Sequence, residues 1–227
     1  MAATVTILPE TVKNPITVIG HNIGICYGSD TSDDVKNYNR GLNSILAGHG
    51  RVLEFADVHL SLKDVSARTI RQWYTHIGGS PTRVQESTRY IDYSNFTAVI
   101  PPSIEKIPEA KKVYLDCLEH DREAYHELRQ LGISKEDAAM LAPLGMNTGI
   151  VCKHNARNLM DMSSQRLCAR AYWEYRDLMR SIINQLKDYS EEWNTLATII
   201  FKCKCDKCGY CEEEYSCGKY PKLELKK

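Results

Sequence analysis

A chain of 227 residues, 43% hydrophobic and 26% charged, is long enough to bury a sizeable core and has the balance of a globular protein. Its 29 basic and 29 acidic side chains cancel, which argues against a bulk electrostatic nucleic-acid binder, and no apolar run reaches the roughly 18 residues that cross a bilayer. The opening stretch MAATVTILPETVKNP lacks the basic-then-apolar layout of a secretory signal, so the cytoplasm is the expected compartment, and an odd count of nine cysteines does not read as a disulfide scaffold.

In chain order, residues 3–8 and 16–19 read as short strands separated by Pro9 and the Asn14-Pro15 breaker, with Gly20 to Asp30 a glycine-rich connector. Ser32 is placed to cap a helix carrying Val35, Leu42, Ile45 and Leu46 on one face, and Gly48 is placed to end it. Phe55 to Leu62 alternates as a half-buried strand. Val65 to Tyr74 reads as a helix with Arg68, Arg71, Gln72 and Thr75 on one side and Trp73 in the core. After a Gly78-Gly79 loop, Ser87 to Tyr93 reads as a strand.

Pro101-Pro102 breaks the chain. Ser103 to Gly132 then shows the strongest helical pattern, with Cys117 expected among its buried positions. Ser134 caps a helix that runs to Leu141 and ends near Pro143. Helices are expected over Glu174–Tyr189 and Tyr189–Phe201. Together these elements point to an α+β fold with a mixed sheet core flanked by long helices, in one domain over residues 1–201 followed by a Cys-rich tail over 202–227.

Arg71 to Tyr93 concentrates ligand chemistry. Three arginines (Arg71, Arg83, Arg89), two glutamines (Gln72, Gln85), His76 and a set of hydroxyls surround a double glycine, which lets the backbone approach a ligand closely. Arginine forks with amide and hydroxyl donors suit phosphates and planar imides, so the stretch reads as an anion-binding loop.

RQW, then His76, Ser80 and the run Gln85-Glu86-Ser87-x-Arg89-Tyr90 resemble the signature of flavin-dependent thymidylate synthases. The element Gly48-His49-x4-Glu54 and the run Asn155-Ala156-Arg157-Asn158-Leu159-Met160-Asp161, with Arg166 and Trp173-Glu174 downstream, are similar to further motifs of that family in the same order. The resemblance implies reductive methylation of dUMP to dTMP, with methylenetetrahydrofolate as carbon donor and NADPH reducing a bound FAD. It also implies a homotetramer with active sites at subunit interfaces, and neither nucleic acid nor membrane as partner. By motif position, Arg166 would be catalytic, pairing with the uracil imide and favouring its ionised form. Gln72, Thr75, Gln85, Glu86, Ser87 and Arg89 would hold dUMP with it. His49, Arg51, Glu54, Thr75, His76, Ile77, Asn155, Arg157 and Asp161 would face FAD.

The chain departs from that pattern where family arginines give way to Thr75, Ile77 and Ala139, where two extra residues separate Ser80 from Ser87, and where Asp161 replaces an asparagine. Arg83, with Arg51 or Arg68, is expected to restore some of the lost charge. A non-catalytic nucleotide- or flavin-binding relative of the same fold is the alternative, and a zinc-tailed nucleic-acid binder is a third reading. In the tail, Cys203, Cys205, Cys208 and Cys211 supply four thiols for a zinc site or for nothing more than reduced cysteines.

Overall fold

The structure is a computed structural model in which residues 3–223 are described; residues 224–227 of the tail lie outside them. Four strands, β1 (Thr4–Ile7), β2 (Asp57–Ser66), β3 (Thr82–Gln85) and β4 (Asn147–Asn155), form one sheet in the order β1-β2-β4-β3. β2 and β4 run antiparallel, since Ala67 N–H donates to the Met146 carbonyl and Ala156 N–H to the Ala56 carbonyl. Val58, Leu60 and Leu62 of β2 have no exposed surface and alternate with half-buried residues, the period of two that its sequence shows. β4 has no counterpart in the sequence reading. Its Thr148, Gly149 and Ile150 are buried in succession, so its pattern does not alternate. Chain contacts divide the molecule into two compact units.

Among the described residues, one unit comprises 3–4, Ser61–Thr75 and Arg83–Val151. It holds α3 (Ala67–Trp73), α4 (Pro102–Glu105), α5 (Pro108–Gln130) and α6 (Lys135–Ala138). Its core gathers Tyr93, Phe96, Leu118, Tyr125, Ala138, Ala139 and Met146. The single helix expected over Ser103–Gly132 is two helices. Pro108 forces Ile107 into extended backbone (φ −118°, ψ 107°) and so restarts the chain there. Cys117 is exposed, contrary to expectation, because α5 buries a narrow stripe of Leu118 and Tyr125 and turns its neighbours outward.

The strand expected at Ser87–Tyr93 is a turn instead, closed by Tyr90 and Ile91 N–H on the Ser87 carbonyl (3.2 and 3.1 Å). Ser87 and Asp92 side chains accept the N–H groups of Arg89 and Ser94, giving the backbone local partners in place of a ladder.

The other unit comprises, among the described residues, Val5–Leu60, His76–Thr82 and 152–223. It holds α1 (Pro15–Cys26), α2 (Asp34–Leu46), a 3-10 turn at Gly50–Phe55, α7 (Ala156–Arg166), α8 (Trp173–Tyr189), α9 (Glu191–Ile200) and α10 (Lys204–Cys208). α1 replaces the strand expected at 16–19 and most of the connector after it. Pro15 sits in its first turn, and the Glu192 carboxylate accepts Ile16 N–H (2.7 Å), Thr17 N–H (2.9 Å) and the Thr17 hydroxyl, filling the role of an N-cap.

Gly20 and Gly41 serve close packing of α1 on α2 rather than flexibility. A Cβ on Gly20 would lie 1.7 Å from the Asn37 carbonyl oxygen, and one on Gly41 would lie 2.1 Å from that of Ile16. Asp33, not Ser32, caps α2 through Val35 and Lys36 N–H (2.9 and 3.1 Å). α8 and α9 bury Tyr175, Leu178, Ile182, Leu186, Trp193 and Leu196. No helix among the described residues is long and apolar enough to cross a membrane.

Candidate active site

In the second unit the site grows from the N-terminus of α7. Asn155 has extended backbone and caps the helix, its Oδ1 accepting Asn158 N–H at 2.8 Å. The same side chain donates through Nδ2 to the Gly79 carbonyl at 3.3 Å. Gly79 (φ +74°) and Ser80 (φ +50°) both take left-handed backbone there, and a Cβ on Gly79 would come within 2.7 Å of the Asn155 amide. One asparagine thus starts the helix and holds the double-glycine loop.

At the far end of α7, Arg166 donates Nε–H to His76 Nε2 at 3.1 Å, and an accepting Nε2 leaves the ring proton on Nδ1. The Arg166 guanidinium lies 4.7 Å above the ring of Tyr175, which is fully buried and meets His76 edge-on at 6.0 Å. The guanidinium is therefore held by its Nε edge and one face, while its two Nη groups make no hydrogen bond among the described residues. The C-terminal dipole of α7 also favours a cation at this position.

Arg157 pairs with Asp161 one turn along (3.4 Å), which gives a physical reason for a carboxylate at 161. The pair is part-exposed and contributes about 0–1 kcal/mol, so its effect is orientation more than stability. The Arg157 guanidinium also packs on the 3-10 turn, since a Cβ on Gly50 would lie 1.9 Å from its Nη1. Lys207 of α10 is near the same pair; burial lowers its pKa, with Asp161 opposing that shift. Close by in sequence to Gly50, His49, Arg51 and Glu54 line a cavity of about 900 Å³ together with Cys26 and Tyr27 from the end of α1.

In the first unit, Gln72 presents a buried Oε1 with no donor among the described residues. A buried amide oxygen without a donor costs about 1–3 kcal/mol, so this one suits a ligand N–H or a water. The Thr75 hydroxyl donates to the Gln72 carbonyl (2.7 Å), and Arg83 donates to the Tyr74 carbonyl (3.3 Å) while stacking on its ring. Gln85 donates to the Thr148 hydroxyl (3.4 Å), and Glu86 accepts Gly149 N–H at 2.8 Å, which fastens both side chains to β4. Arg89 meets Glu136 at 3.1 Å in an exposed pair, weak enough for an anion to displace. Ile77 is exposed, and Ala139 lies in the unit's apolar core, where an arginine would have to be buried.

The expected site residues therefore sort by unit. His49, Arg51, Glu54, His76, Ile77, Asn155, Arg157, Asp161 and Arg166 belong to one. Gln72, Thr75, Gln85, Glu86, Ser87 and Arg89 belong to the other. Sequence reasoning missed Tyr175, which touches both Arg166 and His76; its position directly after Trp173-Glu174 was the available signal.

A family model described as thymidylate synthase complementing protein matches residues 7–190. A flavin-dependent thymidylate synthase of Clostridium tetani is 29% identical over 243 aligned residues, covering 96% of this chain and 94% of that protein. One from Geobacter sulfurreducens is 28% identical, covering 93% of each. One from Pyrococcus abyssi is 31% identical, covering 80% of this chain and 74% of that protein.

Proposed function

The chain belongs to the thymidylate synthase complementing protein family, and from that premise we propose that it is a flavin-dependent thymidylate synthase converting dUMP to dTMP. Its co-substrates are methylenetetrahydrofolate as carbon donor and NADPH as reductant, and FAD is its cofactor. The single observation that carries the assignment of the catalytic group is Arg166, fixed by His76 and Tyr175 while its Nη donors stay available.

A fixed guanidinium opposite the uracil imide stabilises the ring's ionised form, and it needs no reorganisation as that charge develops. Gln72, Gln85, Glu86, Ser87 and Arg89, with Thr75 beside them, hold dUMP, Arg89 leaving Glu136 for the phosphate. His49, Arg51, Glu54, His76, Asn155 and Arg157 face the flavin, with Thr75, Ile77 and Asp161 in neighbouring positions. What supports this fit is the cavity of about 900 Å³ that His49, Arg51 and Glu54 line, with Gly50 in its wall presenting backbone without a side chain. Bound flavin supplies the redox step; the protein binds, orients and polarises. No cysteine nucleophile is required. We assign residues 1–201 to the catalytic domain and 202–227 to a tail, in a homotetramer whose active sites form at subunit interfaces.

The test is the visible spectrum of the purified full-length protein during a dUMP titration, with tritium release from C5-labelled dUMP and light scattering alongside. Flavin bands that dUMP perturbs, tritium release and a tetrameric mass are expected. A protein that cannot be reconstituted with FAD overturns the assignment, and flavin retention without tritium release selects the non-catalytic relative.

A further inference from the structure

The tail thiols are not grouped as their spacing suggests. Cys168, Cys203, Cys205 and Cys211 each line two adjoining cavities, of about 310 and 530 Å³, so they form the wall between them. Cys203 and Cys211 are buried, whereas Cys208 is exposed and its thiol turns to the Tyr210 carbonyl at 3.2 Å. Cys168, two residues beyond the end of α7, thus shares this wall, whereas the Cys208 that the C-x2-C pattern nominates does not.

We propose that Cys168, Cys203, Cys205 and Cys211 form a thiolate site for a d10 metal ion, zinc first among them. The Cys203 and Cys205 sulfurs are 3.5 Å apart. Ligands on one tetrahedral zinc, with Zn–S of 2.3 Å, stand about 3.8 Å apart. No three His, Cys, Asp or Glu side chains among the described residues already stand at ligand geometry. Each cysteine side chain has a single heavy-atom torsion, and binding would turn the four thiols about it onto the ion.

The surroundings favour the charge that results. A zinc tetrathiolate is a dianion, and Arg170, Arg176, Arg180 and Lys219 line the smaller cavity. Glu213 already answers Arg170 (3.7 Å), Asp177 answers Arg180 (3.2 Å) and Asp206 answers Lys219 (2.6 Å). The Nε of Arg176, in contrast, is buried with no acceptor among the described residues, and a metal-bound thiolate would provide one. Binding converts four thiols to thiolates and releases their protons. The ion would tie the tail to the chain two residues beyond Arg166.

The experiment reconstitutes the full-length reduced protein with Zn²⁺ or Co²⁺, measures bound metal, and records the cobalt spectrum. A single ion per chain with thiolate-to-cobalt charge-transfer and tetrahedral d–d bands is expected. Cys168→Ser should lose that signal and Cys208→Ser should keep it. If Cys168→Ser fails to fold, alkylation of the zinc-loaded wild type decides, with Cys168, Cys203, Cys205 and Cys211 protected and Cys208 and Cys217 labelled. Absence of metal binding, protection of Cys208 in place of Cys168, or a disulfide among the four overturns the proposal.

Discussion

At the scale of single residues, the site depends on positions where a side chain is absent as much as on those where one is present. Gly50→Ala places a methyl against the end of Arg157, a flexible group that can swing away. We expect the variant to fold normally and to hold FAD on the order of tenfold less tightly, the equivalent of about 1.4 kcal/mol from one lost charge-assisted contact; unchanged flavin affinity with a shifted melting temperature would contradict this. A second residue sets a pH limit. Burial, with Glu86 and Tyr125 adding to it, raises the Tyr93 phenol above its ordinary 10.0. A group whose folded pKa is raised contributes stability that is complete below the unfolded value and is lost as pH rises through the folded one. The wild type should therefore weaken above pH ~10, and Tyr93→Phe should flatten that decline in denaturant titrations at graded pH. Residue-scale legibility was partial. A carboxylate at 161 is unexplained in the sequence because its partner Arg157 becomes a neighbour only once the helix forms, and the position of Tyr175 after Trp173-Glu174 marks the residue without showing that its buried ring carries Arg166.

At the scale of elements, the structure departs from local preference where tertiary packing overrides it. Ile16 to Ile19 is β-branched and precedes glycines, which locally favours strand and loop, yet it forms α1 because Gly20 and Gly41 let two helix backbones approach. Gly20→Ala should cost at the upper end of the roughly 1–3 kcal/mol typical of overpacking, since its methyl would meet backbone that cannot swing aside. An urea midpoint unchanged from wild type would refute that packing role. Glu192→Ala removes the acceptor for three α1 groups and should cost about 1–2 kcal/mol. Glu192→Gln, which keeps an oxygen, should recover part of the loss in the same measurement. β2 and α8 were legible because each buries one face with the period its geometry demands. β4 was not, because successive residues are buried.

At the scale of the whole molecule, a neutral chain in a family that binds two phosphorylated ligands has to place its positive charge locally. With arginine absent at Thr75, Ile77 and Ala139, Arg83 is the candidate to supply it, held near Tyr74 by its carbonyl and ring. Arg83→Ala should weaken dUMP or FAD binding about tenfold, as loss of one charged contact does; unchanged affinity for both ligands would exclude that role. Motif order exposed the family, while the division of the site residues between two units depended on chain crossings that no local pattern encodes. The Glu192 contact with α1 has a temporal consequence. Its partners are 175 and 176 residues apart, and Tyr189 and Trp193 likewise reach back to the Thr11 and Val12 carbonyls. During synthesis α1 emerges long before the residues that satisfy its first amides, so a helix made early is completed late, and a ribosome stalled ahead of residue 189 would carry it uncapped.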